Sequence, residues 1–264
     1  MPNTTFDERD GNGTNEWSDF SYNICRGCSN GCLYCYAKAM ACRTDAQMRA
    51  PGGWAKQRLN PNRKSLGREV GRKGVVMFPT SHDITPRYLS QSLKTVKNLL
   101  ANNRVLIVSK PNASVVRALC RELADWRKDI MFRFTVGSLK PGLCAFWEPG
   151  APSPATRVRA LRHAFEKGFQ TSVAIEPMLD DLEGTCKLVS AVAGFVTDTI
   201  WVGKMQRVPQ KYNSHVAGFE ERLALIKSQQ TDDEIRKLVA ALEGNSKVRW
   251  KDSIKKVLGT LNSK

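Results

Sequence analysis

The sequence has no long apolar run. Its most apolar stretches, such as residues 75–78 and 105–108, fall far short of the roughly 18 residues that a membrane-spanning helix requires, which excludes such a helix. Residues 1–20 are polar and partly acidic. They lack the basic start, apolar centre and small-residue cleavage site of a secretory signal, so the expectation is a soluble, cytoplasmic chain. There is no internal repeat of fixed period and no low-complexity tract, which excludes a solenoid. Acids are scarce: 25 Asp and Glu face 41 Lys and Arg, a formal charge of +16. A field of that sign attracts polyanions and points to a nucleic-acid partner.

The basic excess is concentrated. Arg49, Lys56, Arg58, Arg63, Lys64, Arg68, Arg72 and Lys73 crowd residues 49–73, a Gly/Pro/Asn-rich stretch in which Glu69 is the only acid. Trp54 lies among them as a stacking surface. The segment reads as a basic insertion that grips the phosphates of DNA or RNA; a solvated loop serving solubility is the alternative.

Apolar runs bounded by turn residues give six candidate strands, at 20–25, 75–78, 104–109, 131–136, 171–176 and 199–202. Helical patterns at 33–48, 87–100, 113–126, 154–167 and 182–193 alternate with them. Such alternation calls for parallel strands with right-handed crossovers. The fold class is therefore α/β, a partial (β/α)6 TIM-like barrel over residues 1–205, with its site in the loops after the strands. Beyond Met205 the pattern becomes amphipathic and charged, with helices expected near 216–228, 232–242 and 248–258. Residues 206–264 read as a helical extension, its second helix opened by a Thr231/Glu234 capping box.

Cysteine is where the chemistry lies. Eight cysteines in a cytosolic chain read as metal ligands or core thiols, not disulfides, and four of them fall between Cys25 and Cys35. The run Cys28-Ser-Asn-Gly-Cys32-Leu-Tyr-Cys35 follows the first strand and opens the first helix. Soft thiolates at CxxxCxxC spacing let one compact loop reach three irons of a four-iron four-sulfur cluster and leave the fourth open. A four-thiolate zinc site is the bland alternative, but zinc sites usually separate two short cysteine pairs by a dozen or more residues. Cys25 reads as a strand-end core thiol, and Cys42, Cys120 and Cys186 as packing residues within helices.

The CxxxCxxC loop with Tyr34 before its last cysteine, at the end of the first strand of a six-fold βα chain, resembles the radical S-adenosylmethionine superfamily. Tyr34-Cys35-Tyr36, Phe132-Arg133-Phe134 and Trp147-Glu148-Pro149-Gly150 with Arg157 are similar to segments of its spore photoproduct lyase and DNA-repair-photolyase-like branch. The likeness spans residues 20 to about 203. It implies a 4Fe-4S cluster on Cys28, Cys32 and Cys35, and S-adenosylmethionine on the open iron. It further implies one-electron reduction by a donor such as flavodoxin or ferredoxin, cleavage to a 5′-deoxyadenosyl radical, and hydrogen abstraction from a substrate.

By the same likeness Lys110 would pair with the cofactor carboxylate, Thr135 or Ser138 would meet the ribose, and Tyr34 would pack near the adenine. Ser81 would join the cofactor contacts, and Ile175 to Pro177 would lie beneath the adenine. Tyr36 reads as a radical relay or as packing over the cluster. Cys144, in the loop after the fourth strand, reads as a hydrogen donor or extra ligand, and Glu148 as an ion-pair partner of Arg157 or Arg159.

The chain also departs from the pattern. Phe78-Pro79 stands where the lyase has a cysteine before Thr80-Ser81, and His82-Asp83 replaces the usual Gly-Gly-Glu. The C-terminal helices do not resemble the lyase's DNA-contacting hairpin, so thymine-dimer reversal is not carried over. Two further readings stay open at this level: a radical enzyme acting on a peptide or small molecule, and a metal-stabilised nucleic-acid-binding module without catalysis.

Overall fold

Along the strands, burial alternates between two apolar environments, which is what a barrel wall requires: one set of side chains faces the interior, the other faces the surrounding helices. A computed structural model describes residues 6, 9, 13–60, 71–206, 208–213 and 215–260. Seven parallel strands form its main sheet, in the order β1 (Phe20–Ser21), β4 (Gly74–Phe78), β5 (Asn103–Ser109), β6 (Ile130–Thr135), β7 (Gln170–Ile175), β8 (Ile200–Val202) and β9 (Val248–Trp250). Apart from the insertion after β1, strand order follows chain order, as a partial (β/α) barrel requires.

The outer wall and its helices form the larger core. Val76, Phe78, Val105, Ile107, Ile130, Phe132, Phe134, Val173 and Ile175 point outward. They meet α3 (Leu89–Leu99), α4 (Ala113–Glu122), α6 (Pro154–Glu166) and α7 (Leu182–Ala193). Each fully buried phenylalanine there contributes roughly 1.5–3 kcal/mol. The helices start where the sequence supplies caps: Asn112 Oδ1 accepts from Ser114 N, Ser153 Oγ from Thr156 N, and Asp181 Oδ1 from Gly184 N. These bonds satisfy amides that the first helical turn leaves without partners.

The inner wall is smaller. Val75, Met77, Leu106, Met131, Ala174 and Trp201 enclose the barrel interior with Trp17 and Phe6 from the N-terminal segment. Two buried cations sit among these rings. Arg133 donates to Ser172 Oγ at 2.9 Å and lies 4.7 Å from the Trp17 centroid. Lys251 Nζ lies 4.2 Å from the same ring, 2.8 Å from the Gly13 carbonyl oxygen and 3.2 Å from Glu16 Oε2.

Several elements differ from expectation. The first strand is only two residues long; Cys25–Arg26 (β2) instead pairs antiparallel with Arg58–Leu59 (β3) in a separate ribbon. The first helix begins at Tyr36, not near residue 33, and breaks at Asp45, which ends α1 (Tyr36–Thr44) and caps α2 (Ala46–Arg49). A short helix, α5 (Pro141–Trp147), occupies what was read as loop. At the C-terminus, α8 (Phe219–Gln229) and α9 (Asp232–Ala241) are helical as expected, but β9 replaces the start of the third helix, which is reduced to α10 (Asp252–Leu258). The otherwise open edge of β8 accounts for this, since three extended residues can complete its ladder. The Thr231/Glu234 box is half formed: Thr231 Oγ1 accepts from Glu234 N, while the Glu234 carboxylate accepts from Lys237.

The barrel floor should be sensitive to its buried lysine. Lys251→Ala leaves Glu16 without its cation and is expected to destabilise the fold by about 3–5 kcal/mol, read as the urea-unfolding free energy. Arg162→Ala, which breaks an exposed i,i+4 pair with Glu166, should stay within about 0.5 kcal/mol.

Candidate functional site

The cysteine loop is held in place from outside. Cys28 N donates to the Trp54 carbonyl, Leu33 N to the Trp147 carbonyl, and Gly150 N to the Asn30 carbonyl. Two glycines permit these close approaches. Gly27 has φ +81°, and a Cβ there would lie 2.6 Å from the Trp54 carbonyl oxygen; a Cβ on Gly150 would lie 2.1 Å from that of Ser29. The Trp147-Glu148-Pro149-Gly150 segment is thus the clamp on the loop. The Leu33 carbonyl accepts from Asn213 Nδ2, and Asn213 Oδ1 accepts from Lys38 Nζ, which ties the loop to the C-terminal segment.

Cys28, Cys32 and Cys35 line one cleft of about 580 Å³ at the C-terminal mouth of the barrel, with Tyr34, Tyr36, Ser81, Lys110, Thr135 and Glu176. No cysteine is in a disulfide. Burial pushes the Cys28 thiol up to about 11 and the Cys32 thiol to about 12. Burial also raises Cys35, although Cys35 caps α1 and its sulfur accepts from Lys38 N at 3.3 Å. Thiols raised in this way become thiolates at neutral pH when a cationic centre displaces their protons. Among the described residues, no three His, Cys, Asp or Glu side chains form a single-ion site. A four-iron cluster takes cysteine thiolates on separate irons, so its ligands need not converge on one point, and the three cleft cysteines fit three of those positions.

Lys110 and Tyr34 form the wall behind the loop. Lys110 Nζ lies 5.5 Å from the Tyr34 centroid and 3.8 Å from Glu148 Oε1. Burial would lower the lysine, but Cys32 and Glu148 outweigh it and hold the ammonium above its ordinary value. The Tyr34 hydroxyl donates to Glu148, and Arg157 pairs with the other carboxylate oxygen. Of the two arginines considered for Glu148, Arg157 is therefore the partner; Arg159 donates to Thr156 Oγ1.

The loop after β4 is fixed by side chains that sequence reasoning left without roles. Asn23 Oδ1 accepts from Thr80 N and Ser81 N at 2.8 and 2.9 Å. His82 Nε2 accepts from Ile24 N, so its proton resides on Nδ1, which donates to the Asp83 carbonyl at 3.1 Å. The Asp83 carboxylate accepts from Asn30 Nδ2, Lys110 N, Ile84 N and Ser109 Oγ. The signal for Asp83 was its place after a barrel strand; Asn23, Asn30 and Asn213 carried none.

Three expected site residues do not reach the cleft. Cys144 lies on α5, buried against Leu33, Trp147 and Leu223, with its thiol donating to the Ser138 carbonyl. Helix formation by residues 141–147 packs it there, outside the lining of the cleft. Ser138 is fully buried, donating to Asp180 Oδ2 and accepting from Lys140 N. Ile175 faces the outer core, while Glu176 and Pro177 beside it line the cleft. Cys25 is a core thiol.

The basic insertion is seen in part. Arg63, Lys64, Arg68 and Glu69 lie outside the described residues. Arg49 donates to the Cys42 carbonyl, Arg72 lies 4.5 Å over the Phe20 ring, and Lys56 and Lys73 are exposed. Trp54 is only 6% exposed, packed with Cys28, Cys42 and Met48 under the cysteine loop. This corrects the expectation of a stacking surface: its ring is used to support the loop.

Comparison with known proteins gives a consistent picture of the fold. No protein-family model matches the chain. An uncharacterized protein, ORF301, of Acidianus two-tailed virus is 22% identical over 185 residues, covering 66% of this chain and 60% of the viral protein. Among solved structures, spore photoproduct lyase complexed with dinucleoside spore photoproduct is similar at a TM-score of 0.57 and 16% identity, over 95% of this chain and 81% of the lyase. Streptococcus suis SuiB bound to S-adenosylmethionine is similar at 0.56 and 11% identity, over 93% of this chain and 53% of SuiB. Both are radical S-adenosylmethionine enzymes, and their shared partial TIM barrel is the fold expected from the sequence resemblance.

Gly150→Ala tests the clamp. Its Cβ would displace the Ser29 backbone, at a cost of about 1–3 kcal/mol. Iron retained per chain after anaerobic reconstitution should fall well below wild type, while far-ultraviolet circular dichroism keeps its shape. Full iron retention would show that the loop tolerates the displacement.

Proposed function

We propose that this chain is a radical S-adenosylmethionine enzyme acting on nucleic acid. The observation that carries the reading is the convergence of Cys28, Cys32 and Cys35 with Ser81 and Lys110 on one cleft at the mouth of a parallel partial barrel. When bound, a four-iron cluster supplies the electron that cleaves the sulfonium of S-adenosylmethionine, and the deoxyadenosyl group so released abstracts a hydrogen atom from the substrate. Cys28, Cys32 and Cys35 hold the cluster. The Lys110 ammonium binds the cofactor carboxylate, with Glu148 behind it fixing its position. Thr135 and Ser81 offer hydroxyls to the cofactor's polar groups.

Tyr36 is the candidate relay. It is 51% exposed on the cleft, and its hydroxyl donates to the Thr80 carbonyl at 2.9 Å, which aims the ring across the loop after β4. Support for nucleic acid comes from the +16 charge, from exposed Lys56 and Lys73, and from the dinucleoside spore photoproduct held by the similar lyase. A one-electron donor of the flavodoxin or ferredoxin kind completes the cycle.

Anaerobic reconstitution tests the class. The wild type is expected to carry about four irons with sulfide and to release 5′-deoxyadenosine on reduction with dithionite. Replacing any one of Cys28, Cys32 and Cys35 by Ala should abolish both the visible absorbance and that release. One zinc without sulfide would overturn the enzyme reading. For the substrate, binding of labelled single strands should weaken steeply with salt, by a log–log slope of roughly 0.7 per phosphate neutralised; salt-independent or absent binding would redirect the search to peptides or small molecules.

A further inference from the structure

The proposed chemistry uses the side of the cleft built by the loops after β1, β4 and β5 and by the end of β6. The opposite side is built by the N-terminal turn at residues 13–17, by Glu176 after β7 and by Lys204 after β8. In a chain with 16 more cationic than anionic side chains, an acid on this wall calls for a reason.

Glu176 is built into its position. Gly203 makes room for it: a Cβ there would lie 3.2 Å from Glu176 Cγ and 3.0 Å from both Cβ and Cγ of Lys251. Yet Lys251 does not satisfy the carboxylate. Its ammonium lies 2.8 Å from the Gly13 carbonyl oxygen and 3.2 Å from Glu16, but 3.7 Å from Glu176 Oε2. That last contact is an ion pair longer than an ordinary hydrogen bond, so Lys251 engages one carboxylate oxygen only weakly. The Glu176 side chain retains 30% exposure and lines the same cleft as Tyr36, which burial, Cys35 and, to a lesser degree, Glu176 raise. Burial pushes the Glu176 carboxyl up to about 7, with Lys251 opposing and Glu16 and Asp252 adding to the rise. A partly exposed acceptor that Lys251 engages only weakly therefore shares the cleft with the candidate relay tyrosine.

A carboxylate repels phosphate and accepts from N–H groups. In nucleic acid the exocyclic amino groups of cytosine, adenine and guanine are such donors, and thymine and uracil lack them. We infer that Glu176 is a specificity-determining residue that accepts a hydrogen bond from the exocyclic amino group of the target base, so that the substrate is an amino-bearing nucleobase extruded into the cleft. This rests on the nucleic-acid reading above. A base taken out of its stack and read on its pairing edge is the general solution for enzymes that act on bases.

The test is fluorescence anisotropy, well above pH 7 so that Glu176 is ionised, of the reconstituted holoenzyme with labelled dodecamers of dA, dC, dG and dT. The wild type is expected to bind at least one of dA, dC or dG about 5- to 150-fold more tightly than dT, the discrimination that one good base contact supplies. Glu176→Leu removes the acceptor and Glu176→Asp withdraws it by one methylene. Either variant should collapse the preference toward equality with dT while keeping the wild-type salt slope, because no phosphate contact is lost. A merely structural role would lower all four affinities together. Wild-type binding without preference, a preference for dT, or variants that keep the wild-type ranking would overturn the inference and leave the nucleic-acid reading standing. Failure of the wild type to bind any of the four would overturn both.

Discussion

One buried carboxylate sets the relation between the cysteine loop and the rest of the barrel mouth. Asp83 collects Asn30 Nδ2 from the middle of the cysteine loop, Lys110 N and Ser109 Oγ from the end of β5, and Ile84 N from its own loop. A carboxylate taken out of water is costly unless donors replace its hydration. Four donors do so here, and bonds to an ionised acceptor are stronger than neutral ones. Asn30 lies between Cys28 and Cys32, so the spacing between these sulfurs and Lys110 is governed through one residue and not by two loops moving independently. His82, neutral and lowered by burial, bonds the Ile24 amide on one side and the Asp83 carbonyl on the other. The two residues after β4 thereby act as a peg, and this fixed geometry is what a site built on loops needs from its scaffold.

A second carboxylate does comparable work on the far side of the loop. Glu148 is fully buried and meets Arg157, Lys110 and the Tyr34 hydroxyl. Two cations around one anion leave net positive charge at the wall. Arg157 takes the close contact, and Lys110 at 3.8 Å keeps donors to offer the cleft. Removing Glu148 would leave Arg157 uncompensated in a dry environment, where an unpaired charge is far more costly than the pair. The acid therefore positions Lys110 and Tyr34, although it does not itself line the cleft.

What was legible in the sequence was local. The Cys28/Cys32/Cys35 spacing, the alternation of β-branched runs with amphipathic helices, and Lys110 and Ser81 at strand ends all place chemistry through neighbours in the chain, and each of these residues lines the cleft. The illegible part consists of pairings across long separations. Asn30 and Asp83 are 53 residues apart, Leu33 and Asn213 180, and Gly13 and Lys251 238; no period or spacing reports such partners. Cys144 was misplaced for a different reason. Pro141 at the first position of a helix is a start signal, and once α5 forms, its apolar face carries the thiol inward. Strand β9 escaped because three residues are too few for a period of two to be told from the charged helix that follows.

The two chain ends matter more to the site than their sequences suggest. Seven strands leave a gap between the edges at β1 and β9, and the N-terminal turn spans it: Asp19 N bonds the Val75 carbonyl on one side, and the Gly13 carbonyl accepts from Lys251 on the other. Trp17 then lies 5.8 Å from Trp201 inside the barrel, with Lys251 and Arg133 against its faces. Cations over indole rings gain electrostatic attraction where a bare charge would be excluded, which is how so basic a chain can place two of its cations in its own interior. The floor of the cleft is therefore assembled from residues near position 15, near 201 and near 251 together. A cut after residue 205 would remove β9, Lys251 and Asn213 at one stroke, opening the floor beneath Glu176 and releasing the tether on the cysteine loop, so the C-terminal segment is part of the barrel and not an appendage to it.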